Sequence, residues 1–197
     1  MPRNHRAIDK DERIERLLNA AAEQFLTVGY PGTTMAQIAR GAGVTSAAVY
    51  WYFPSKDDAL VAVQRRVLGS TRDRLAREDL QPMRLLQRYL EILRAEARPL
   101  HRMLHERSPH SKAVAEVLSE IHDELEQMIR AAVVARSASF GDLQQIVDLS
   151  MAVIEGTSAV SAEVHSSDLV KWAIERLVPE QTRPKRTAAP RRSPAGC

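Results

Sequence analysis

The chain has 197 residues, 44% of them hydrophobic, and a formal net charge of +3, which suits a folded protein with a buried core. No apolar run reaches the ~18 residues of a membrane span, and the polar N-terminus MPRNHRAIDKDER lacks the apolar stretch of a signal peptide. The single cysteine, Cys197, is the last residue, which excludes an internal disulfide. We therefore expect a cytoplasmic protein that does not enter a membrane.

The positive charge is concentrated at the C-terminal end. Residues 183–197 carry five basic side chains and no acidic one, so residues 1–182 sum to −2. This tail is rich in Pro, Ala and Arg, a composition typical of disordered chain. It would attract DNA without sequence preference, and a solubilising terminus explains it equally well. The basic pI therefore does not by itself indicate a nucleic-acid-binding protein.

Apolar residues recur every three or four positions through most of the chain, and no segment shows the alternation of a strand. This pattern predicts an all-α fold of about nine helices. The first four are expected at 10–28, 34–40, 45–51 and 55–78. Gly29 should end the first of them, and Ser55 should cap the fourth.

The later helices are mostly longer. They are expected from Pro82 to Ala97, over 100–106, from Ser111 past Val133, from Leu143 to Val164, and from Ser167, as its cap, to Leu177. Pro99 is expected to break the first of these, because proline cannot continue the hydrogen-bond ladder of a helix. The organisation predicts a domain of short helices at 1–54, a second helical domain at 55–180 and a basic tail at 181–197.

The segment 33–53, TTMAQIARGAGVTSAAVYWYF, carries the most informative local pattern. Thr33 or Thr34 is the candidate N-cap of a first short helix and Thr45 that of a second, and the glycines Gly41 and Gly43 permit the positive φ of a sharp turn between them. Val49 and Phe53, four residues apart, should both point inward. The pattern is that of a helix–turn–helix, whose second helix enters the major groove of DNA. An ordinary helical corner shows the same spacing.

The aromatic residues at the end of this segment favour the DNA-binding interpretation. Tyr50, Trp51 and Tyr52 lie within one helical turn, and exposing all three is unfavourable unless a partner covers them. Tyr52 could instead pack into the core. A helical adaptor protein without DNA binding is the alternative, and it leaves the aromatic cluster without a use.

Residues 11–58 resemble the DNA-binding domain of the tetracycline-repressor (TetR) family, most clearly over 21–60, AAEQFLTVGYPGTTMAQIARGAGVTSAAVYWYFPSKDDAL. The resemblance covers about a quarter of the chain and implies a dimeric transcription regulator, usually a repressor, on a near-palindromic operator in double-stranded DNA. It implies base contacts from the start of the second short helix and backbone contacts around it. The residues concerned are Thr34, Thr45, Ser46, Ala47, Tyr50, Trp51 and Lys56.

The recognition helix has no long hydrogen-bond donor at its start. Ser46 is followed by Ala47 and Ala48, which excludes a bidentate contact to guanine from these positions. We expect hydroxyl contacts from Thr45 and Ser46, and contact between Ala47 and a thymine methyl group, while Tyr50 and Lys56 hold phosphates. The basic residues Arg3, Arg6 and Lys10 form either a flexible arm that follows the DNA or only a solvated terminus.

For the second domain, the resemblance implies an effector pocket. After residue 60 the only aromatic residues are Tyr89, Phe140 and Trp172, so the wall would be mainly aliphatic and would suit a small hydrophobic molecule. Ordinary core packing explains the same residues, and a constitutive regulator without a ligand stays possible. Candidate lining residues are Met83, Leu86, Tyr89, Leu90, Leu93, Met103, Leu104, Leu118, Ile121, Leu125 and Met151.

The resemblance also implies a homodimer formed mainly by the last two long helices. The segment 153–164 is rich in small residues, which permit close helix approach, and the final helix carries an apolar stripe. A tight crossing within one chain explains both features as well. Candidate interface residues are Ile154, Ser158, Ser161, Val170, Ile174 and Leu177.

Metal binding and catalysis find little support in the sequence. His101 and His105 are four residues apart, which is the spacing of metal ligands on a helix, but the segment is rich in arginine and suggests a solvated surface. We expect no metal and no cofactor. No phosphate-binding loop lysine follows Gly41 and Gly43, and no nucleophile elbow is present, so we expect no enzyme.

Overall fold

The computed structural model describes residues 5–137, 141–160 and 165–179, and the side chains of these ranges except 5–9 and 158–160. Within them the chain contains no strand, and the prediction of an all-α fold is confirmed. The α-helices are α1 (His5–Gly32), α2 (Met35–Ala42), α3 (Ser46–Tyr52), α4 (Lys56–Leu75), α5 (Pro82–Ile92), α6 (Arg98–Arg107), α7 (Lys112–Arg136), α8 (Leu143–Val160) and α9 (Ser166–Leu177).

The N-terminal helix boundaries follow local capping chemistry. Thr34, Thr45 and Ser55 precede α2, α3 and α4, and each hydroxyl accepts a hydrogen bond of 3.2 Å from the backbone N–H three residues later. Gly29 interrupts α1 at a φ of 75° and ψ of 176°, a conformation that is open almost only to glycine. The predicted end of the first helix at this glycine is therefore correct, although helical turns resume as far as Gly32.

Three details of the sequence prediction differ from the structure. Pro99 does not stop the helical path, because a π-helical turn at Leu93–Ala97 joins α5 to α6 and puts Pro99 in the first turn of α6, where its missing N–H costs little. Ser167 is buried inside α9 and does not cap it; His165 occupies the cap position. Residues 5–10 belong to α1, so Arg6 and Lys10 lie on a helix and not in an arm, and Arg3 lies outside the described residues.

Helices α1, α2 and α3 pack around a common set of buried side chains that includes Leu17, Phe25, Ile38 and Val49. Helix α4 contacts α1 at one side and α5, α6 and α7 at the other, so it connects the two groups of helices. A 3-10 turn at Ser108–His110 leads from α6 into α7. No helix among the described residues is both long and apolar enough to cross a bilayer.

The buried apolar side chains form one continuous cluster from α1 to α9. Close-packed interiors transmit displacement and do not absorb it. A shift of one helix in the α5–α9 group can therefore be passed to the N-terminal helices, chiefly through α4 and α6.

Candidate nucleic-acid interface and effector cavity

The turn between α2 and α3 fixes the two helices against each other. Gly43 ends α2 at a φ of 67°, and the backbone N–H of Val44 donates to Ala39 O at 3.0 Å. The buried Val49 and Phe53 hold α3 against the core, as predicted from their spacing. The first turn of α3 is thereby turned outward, which leaves a surface of small side chains that a DNA groove could approach closely.

That outward surface contains the predicted base-reading residues. Thr45, Ser46 and Ala47 are all exposed at the start of α3. The Thr45 hydroxyl already accepts the capping hydrogen bond from Ala48 N, but it still has a proton to donate to a base or phosphate. The structure therefore places these three side chains together on one solvent-facing turn.

Large aromatic side chains border this surface. Tyr50 is 53% exposed and Trp51 is 71% exposed, unusual values for residues of this size. The Trp51 ring meets Tyr52 edge to face at 5.1 Å, and Lys10 Nζ lies 6.0 Å from the centroid of the Trp51 ring. Tyr52 is half-buried against the core. A phenol hydroxyl and an ammonium group at the rim of a recognition helix suit phosphate contacts.

Thr34 lies at the N-terminal end of α2. It is exposed and forms a capping box with Gln37: the Thr34 backbone N–H donates to Gln37 Oε1 at 2.7 Å, and Gln37 N donates back to the Thr34 hydroxyl. The remaining free N–H groups of this helix end carry partial positive charge. Thr34 is thus placed at a helix terminus that favours a phosphate oxygen.

Lys56 has a structural task that the sequence did not predict. Its ammonium group donates to Tyr30 O at 2.7 Å and to Thr33 O at 2.9 Å, and it lies 4.1 Å from the centroid of the Tyr30 ring. Two of its three N–H bonds therefore hold the connection between α1 and α2. One remains for a phosphate, so Lys56 is less free for DNA than its predicted role requires.

A polar network joins this connection to the second group of helices. The Tyr30 hydroxyl donates to Asp57 Oδ1 at 2.5 Å. Arg107, at the end of α6, donates to both oxygens of Asp57 at 3.2 and 3.1 Å, and its guanidinium carbon lies 4.8 Å from the centroid of the Tyr30 ring. We call Tyr30, Lys56, Asp57 and Arg107 the interdomain joint. It ties α6 directly to the first turn of α4 and to the end of α1.

The joint also shifts the ionisation of its members. Burial and the hydrogen bond to Asp57 raise the pKa of Tyr30 to about 12, so its hydroxyl keeps its proton. Burial alone would raise the pKa of Asp57, but the bonds from Arg107 and Tyr30 outweigh burial and lower the pKa below its ordinary value. Asp57 therefore stays a carboxylate, and the bidentate pair with Arg107 persists at neutral pH.

A cavity of about 50 Å³ lies among α4, the end of α5, the π-helical turn, α6, α7, α8 and the start of α9. Ligand pockets are typically ~300–1,000 Å³, so a molecule of that class must widen this one by moving helices. The wall is mainly apolar but includes polar side chains. Its lining residues are Gln64, Leu90, Leu93, Arg94, Ala97, Arg98, His101, Ile121, Leu125, Ile154, Thr157 and Ser166.

Four of the predicted pocket residues, Leu90, Leu93, Ile121 and Leu125, lie on the cavity wall. The others pack elsewhere, because apolar periodicity identifies a buried face but not the part of that face next to a void. Leu86, Tyr89, Met103, Leu104 and Leu118 are buried in the core, and Met83 and Met151 are half-buried against it.

The histidine segment is not the solvated surface that its sequence suggested. His101 and His105 point from α6 toward Glu155 of α8, and His122 of α7 meets the same carboxylate. Burial alone would raise the pKa of Glu155, but the neighbouring His101 and His122 lower it far below its usual range. The contact with Glu155 raises the pKa of His122, whereas burial and His101 lower the pKa of His105.

The predicted interface residues are divided between the core and the surface. Ile154, Val170 and Ile174 are buried within the chain, because the apolar stripe of α9 faces α5 and α8. They are therefore corrected to core residues. Leu177 is exposed, whereas Ser161 and the side chain of Ser158 lie outside the described residues.

Other apolar side chains on α8 and α9 are exposed. Leu149 is 43% exposed, Leu169 is 42% exposed and Trp172 is 65% exposed. Ala152 and Gly156 continue the exposed side of α8 at helical spacing. We call these five residues the α8–α9 face.

Comparison with known proteins decides the family. Residues 17–63 match the family described as bacterial regulatory proteins, tetR family. The helix–turn–helix transcriptional regulator SrpR of Pseudomonas putida is 31% identical over 183 residues, which cover 91% of this chain and 79% of SrpR. This chain belongs to the TetR family. It is accordingly a transcriptional regulator with a helix–turn–helix DNA-binding domain.

Further relatives agree with this assignment. The uncharacterized transcriptional regulator TtgW, also of Pseudomonas putida, is 47% identical over 57 residues, or 29% of this chain and 42% of TtgW. Among solved structures, a TetR-family regulator from Rhodococcus sp. has a TM-score of 0.64 at 21% identity and covers 85% of this chain and 99% of its own. A regulator from Saccharomonospora viridis in complex with choline has a TM-score of 0.68 at 19% identity, over 86% and 96%.

For this TetR-family chain, the sequence did not predict the interdomain joint or the partners of His101. One signal was available for Glu155, which is the only charged residue between 149 and 160 and so needs a polar partner in an otherwise apolar helix. No comparable signal links Tyr30, Asp57 and Arg107. Their proximity arises only when α4 and α6 pack side by side.

Replacing Asp57 by asparagine should destabilise the TetR-family fold by about 1–2 kcal/mol at pH 7, because the Arg107 guanidinium loses its carboxylate. The folded pKa of Asp57 is lowered, so the stabilisation is present above the unfolded value of about 3.9 and is lost as the pH falls through the folded pKa. Urea unfolding of wild type and D57N should therefore differ most at pH 6–7 and converge below about pH 4.

D73N is the matched control for this change, since Asp73 is an exposed carboxylate on the same helix. Its effect should stay within about 0.5 kcal/mol at every pH. If the difference in unfolding free energy between wild type and D57N did not shrink in acid, the ion pair between Asp57 and Arg107 would not be what stabilises the joint.

Proposed function

We propose that this chain is a dimeric repressor that leaves its operator when a small, largely apolar molecule widens the cavity behind α6. The observation that carries this proposal is the position of α6. His101 of α6 lines the cavity, and Arg107 at the end of the same helix holds Asp57 at the start of α4. A displacement of α6 at the cavity therefore pulls on the joint that positions the DNA-binding helices.

The character of the effector follows from the cavity wall. Leu90, Leu93, Ile121 and Leu125 provide apolar surface, which supports the hydrophobic ligand expected from the sequence. Among the described residues, the carbonyl oxygen Oε1 of the buried Gln64 has no hydrogen-bond partner and borders this space. An apolar molecule with one hydrogen-bond donor would satisfy it. That a regulator of the same fold was solved with choline agrees with a small-molecule site in this architecture.

The dimer supplies the sensitivity to movement. Two copies joined through the α8–α9 face would present two α3 helices to one side of DNA. Successive half-sites on B-DNA are about 34 Å apart. If the separation of the two α3 helices changes, the two helices can no longer bind both half-sites at the same time. The operator is accordingly near-palindromic, and the chain acts on it in the cytoplasm. We divide the protein into a DNA-binding domain at 1–54 and an effector and dimerisation domain at 55–180.

The experiment fills the cavity without needing to know the effector. Ala97 is buried on the cavity wall, and a phenylalanine there exceeds the free volume and forces the wall outward. A97F should bind the operator about 10–100-fold more weakly than wild type, which corresponds to ~1.4–2.8 kcal/mol. The affinity is measured by fluorescence anisotropy at fixed salt.

Ala132 provides the matched control. It is equally buried, on α7, but does not border the cavity. A132F should lower stability without a comparable loss of operator affinity in the folded fraction. Equal operator affinities of A97F and wild type would instead favour a constitutive regulator without an effector.

A further inference from the structure

Four ionisable side chains from three helices converge beside the cavity. His105 Nε2 of α6 lies 3.0 Å from His101 Nε2 and 2.9 Å from Glu155 Oε2 of α8. The other carboxylate oxygen, Glu155 Oε1, lies 3.7 Å from His101 Nε2 and 3.0 Å from His122 Nε2 of α7. We call His101, His105, His122 and Glu155 the histidine cluster. A ligand atom from each of His101, His105 and Glu155 lies within 4.8 Å of the others.

Hydrogen bonds alone do not account for these contacts. An imidazole nitrogen has one in-plane position, filled either by a proton or by a lone pair, so His105 Nε2 can serve only one of its two close neighbours. Glu155 Oε1 and His122 Nε2 are both buried and form an ion pair at 3.0 Å, but this contact lacks the geometry of a hydrogen bond, and neither atom has a hydrogen-bond partner elsewhere among the described residues. Buried polar atoms are normally paired. A cation between these atoms would satisfy them together.

We propose that the histidine cluster binds one divalent transition-metal ion, Zn²⁺ in first place. His101, His105 and Glu155 supply the primary ligands, and His122 completes the set from α7. Bonds of about 2.0–2.1 Å in a tetrahedral zinc site put neighbouring ligand atoms about 3.3 Å apart. Among His101, His105 and Glu155, the measured distances are 3.0 Å between the two imidazole nitrogens, 2.9 Å from His105 to Glu155 Oε2 and 3.7 Å from His101 to Glu155 Oε1, and they bracket that value.

The chemistry of the ligand set supports this choice of ion. Three imidazoles and one carboxylate suit Zn²⁺, whereas the absence of a thiolate or thioether from the cluster disfavours Cu⁺, and Mg²⁺ and Ca²⁺ prefer oxygen ligands throughout. His101 and His105 present their nitrogens from one face of α6 because they are four residues apart. His105, His122 and Glu155 each keep about a third of their side chain exposed, so an ion can enter from solvent.

The ion would link α6, α7 and α8 at one point, and thereby restrain the helix that ends in Arg107. Metal binding itself does not depend on the proposed repressor function. An effect of the metal on operator affinity does rest on that function, and the experiment therefore measures the two separately.

The test uses the untagged, full-length chain carrying Cys197→Ser, which removes the one thiol, after treatment with a chelating resin. Co²⁺ is titrated as a spectroscopic substitute for Zn²⁺, and Zn²⁺ is then added in competition. We expect one equivalent of Co²⁺ per chain with the intense visible absorption of a tetrahedral site, abolished by one equivalent of Zn²⁺. Featureless, octahedral Co²⁺ spectra or no saturation at one equivalent would overturn the proposal.

Glu155→Gln and His105→Asn each remove one ligand with little change in volume, and His110→Asn is the matched control because His110 is exposed and outside the cluster. The first two variants should bind Zn²⁺ at least ~100-fold more weakly, whereas H110N should bind as wild type does. Equal affinities in all three would place the metal elsewhere and reject the site.

X-ray absorption of the wild-type zinc complex keeps the proposal testable if a variant fails to fold. It should show imidazole scattering and only nitrogen and oxygen ligands, at about 2.0–2.1 Å. A spectrum without imidazole scattering would reject the histidine cluster as the site. Operator affinity is then compared with and without Zn²⁺ in wild type and in E155Q. An equal affinity in wild type would exclude regulation by the metal while leaving the site in place.

Discussion

Replacing Ala47 by glutamate should lower operator affinity about 100-fold or more, which corresponds to at least ~2.7 kcal/mol. Ala47 is exposed in the first turn of α3, beside Thr45 and Ser46. A carboxylate there meets the phosphate backbone and the acceptor atoms of the base edges, and it removes the small surface that permits close approach. An acid in the first turn of a helix favours the helix itself, so the fold should be unaffected.

The matched control for this change is A115E. Ala115 is an exposed alanine near the start of α7 and is not part of the α2–α3 surface. It should bind the operator as wild type does. Fluorescence anisotropy on the operator at several salt concentrations measures both variants. If A47E and A115E bound equally well, α3 would not be the helix that enters the groove.

Replacing Trp172 by glutamate should convert the proposed dimer to monomers. Trp172 is 65% exposed on α9, three residues after the exposed Leu169, and Leu149 is exposed on α8. A tryptophan buried at the centre of an interface typically contributes about 2 kcal/mol or more. Its loss should raise the dimer dissociation constant at least ~30-fold, and burial of the new carboxylate would add to this. Sedimentation velocity at micromolar concentration measures the change.

Operator affinity should fall with the dimer, because a monomer engages only one half-site. L26E is the matched control, since Leu26 is an exposed apolar residue on α1 in the DNA-binding region. It should leave the dimer intact. A W172E protein that sediments as wild type would show that the two copies meet through another surface, or that the wild type is not a dimer.

The local parts of the fold were predictable from the sequence because short-range chemistry determines them. Thr45 and Ser55 cap their helices where the sequence indicated, and of the two candidates Thr33 and Thr34 the cap is Thr34. Gly29 and Gly43 adopt a positive φ, which glycine takes without strain. The inward direction of Val49 followed from helical spacing, and Tyr50 and Trp51, expected to face outward, are exposed. Each of these features depends on residues within about four positions of one another.

The remaining features depend on how distant helices pack, which spacing does not reveal. Periodicity identified the apolar stripe of α9. Val170 and Ile174 of that stripe face the core of their own chain, whereas Trp172 is exposed on the solvent side of the helix. The solvated interpretation of His101 and His105 was wrong because Glu155, some 50 residues later, brings a carboxylate to both. Lys56 was predicted to meet phosphate, yet its nearest acceptors are backbone carbonyls more than 20 residues away.

The interdomain joint and the cavity share α6, and in the proposed function this common helix connects ligand binding to DNA binding. His101 and Arg107 lie six residues apart on α6. Because a helix moves as a rigid unit, a displacement at His101 also displaces Arg107. A two-state change of this kind requires that the effector bind one arrangement better than the other. The cavity is too small for a typical ligand in the present arrangement of helices. A ligand must therefore bind better to an arrangement in which the cavity is wider.

The most direct test of the central claim, that the α2–α3 surface reads an operator, is recovery of bound fragments from a genomic DNA library, followed by footprinting of the strongest site. Wild-type protein should enrich a near-palindromic sequence and protect two half-sites about 34 Å apart, or a multiple of that distance, and A47E should enrich nothing. The contradictory result is binding that prefers no sequence, is equal in wild type and A47E, and is abolished by moderate salt. Such binding would come from the basic C-terminal segment and not from the α2–α3 surface.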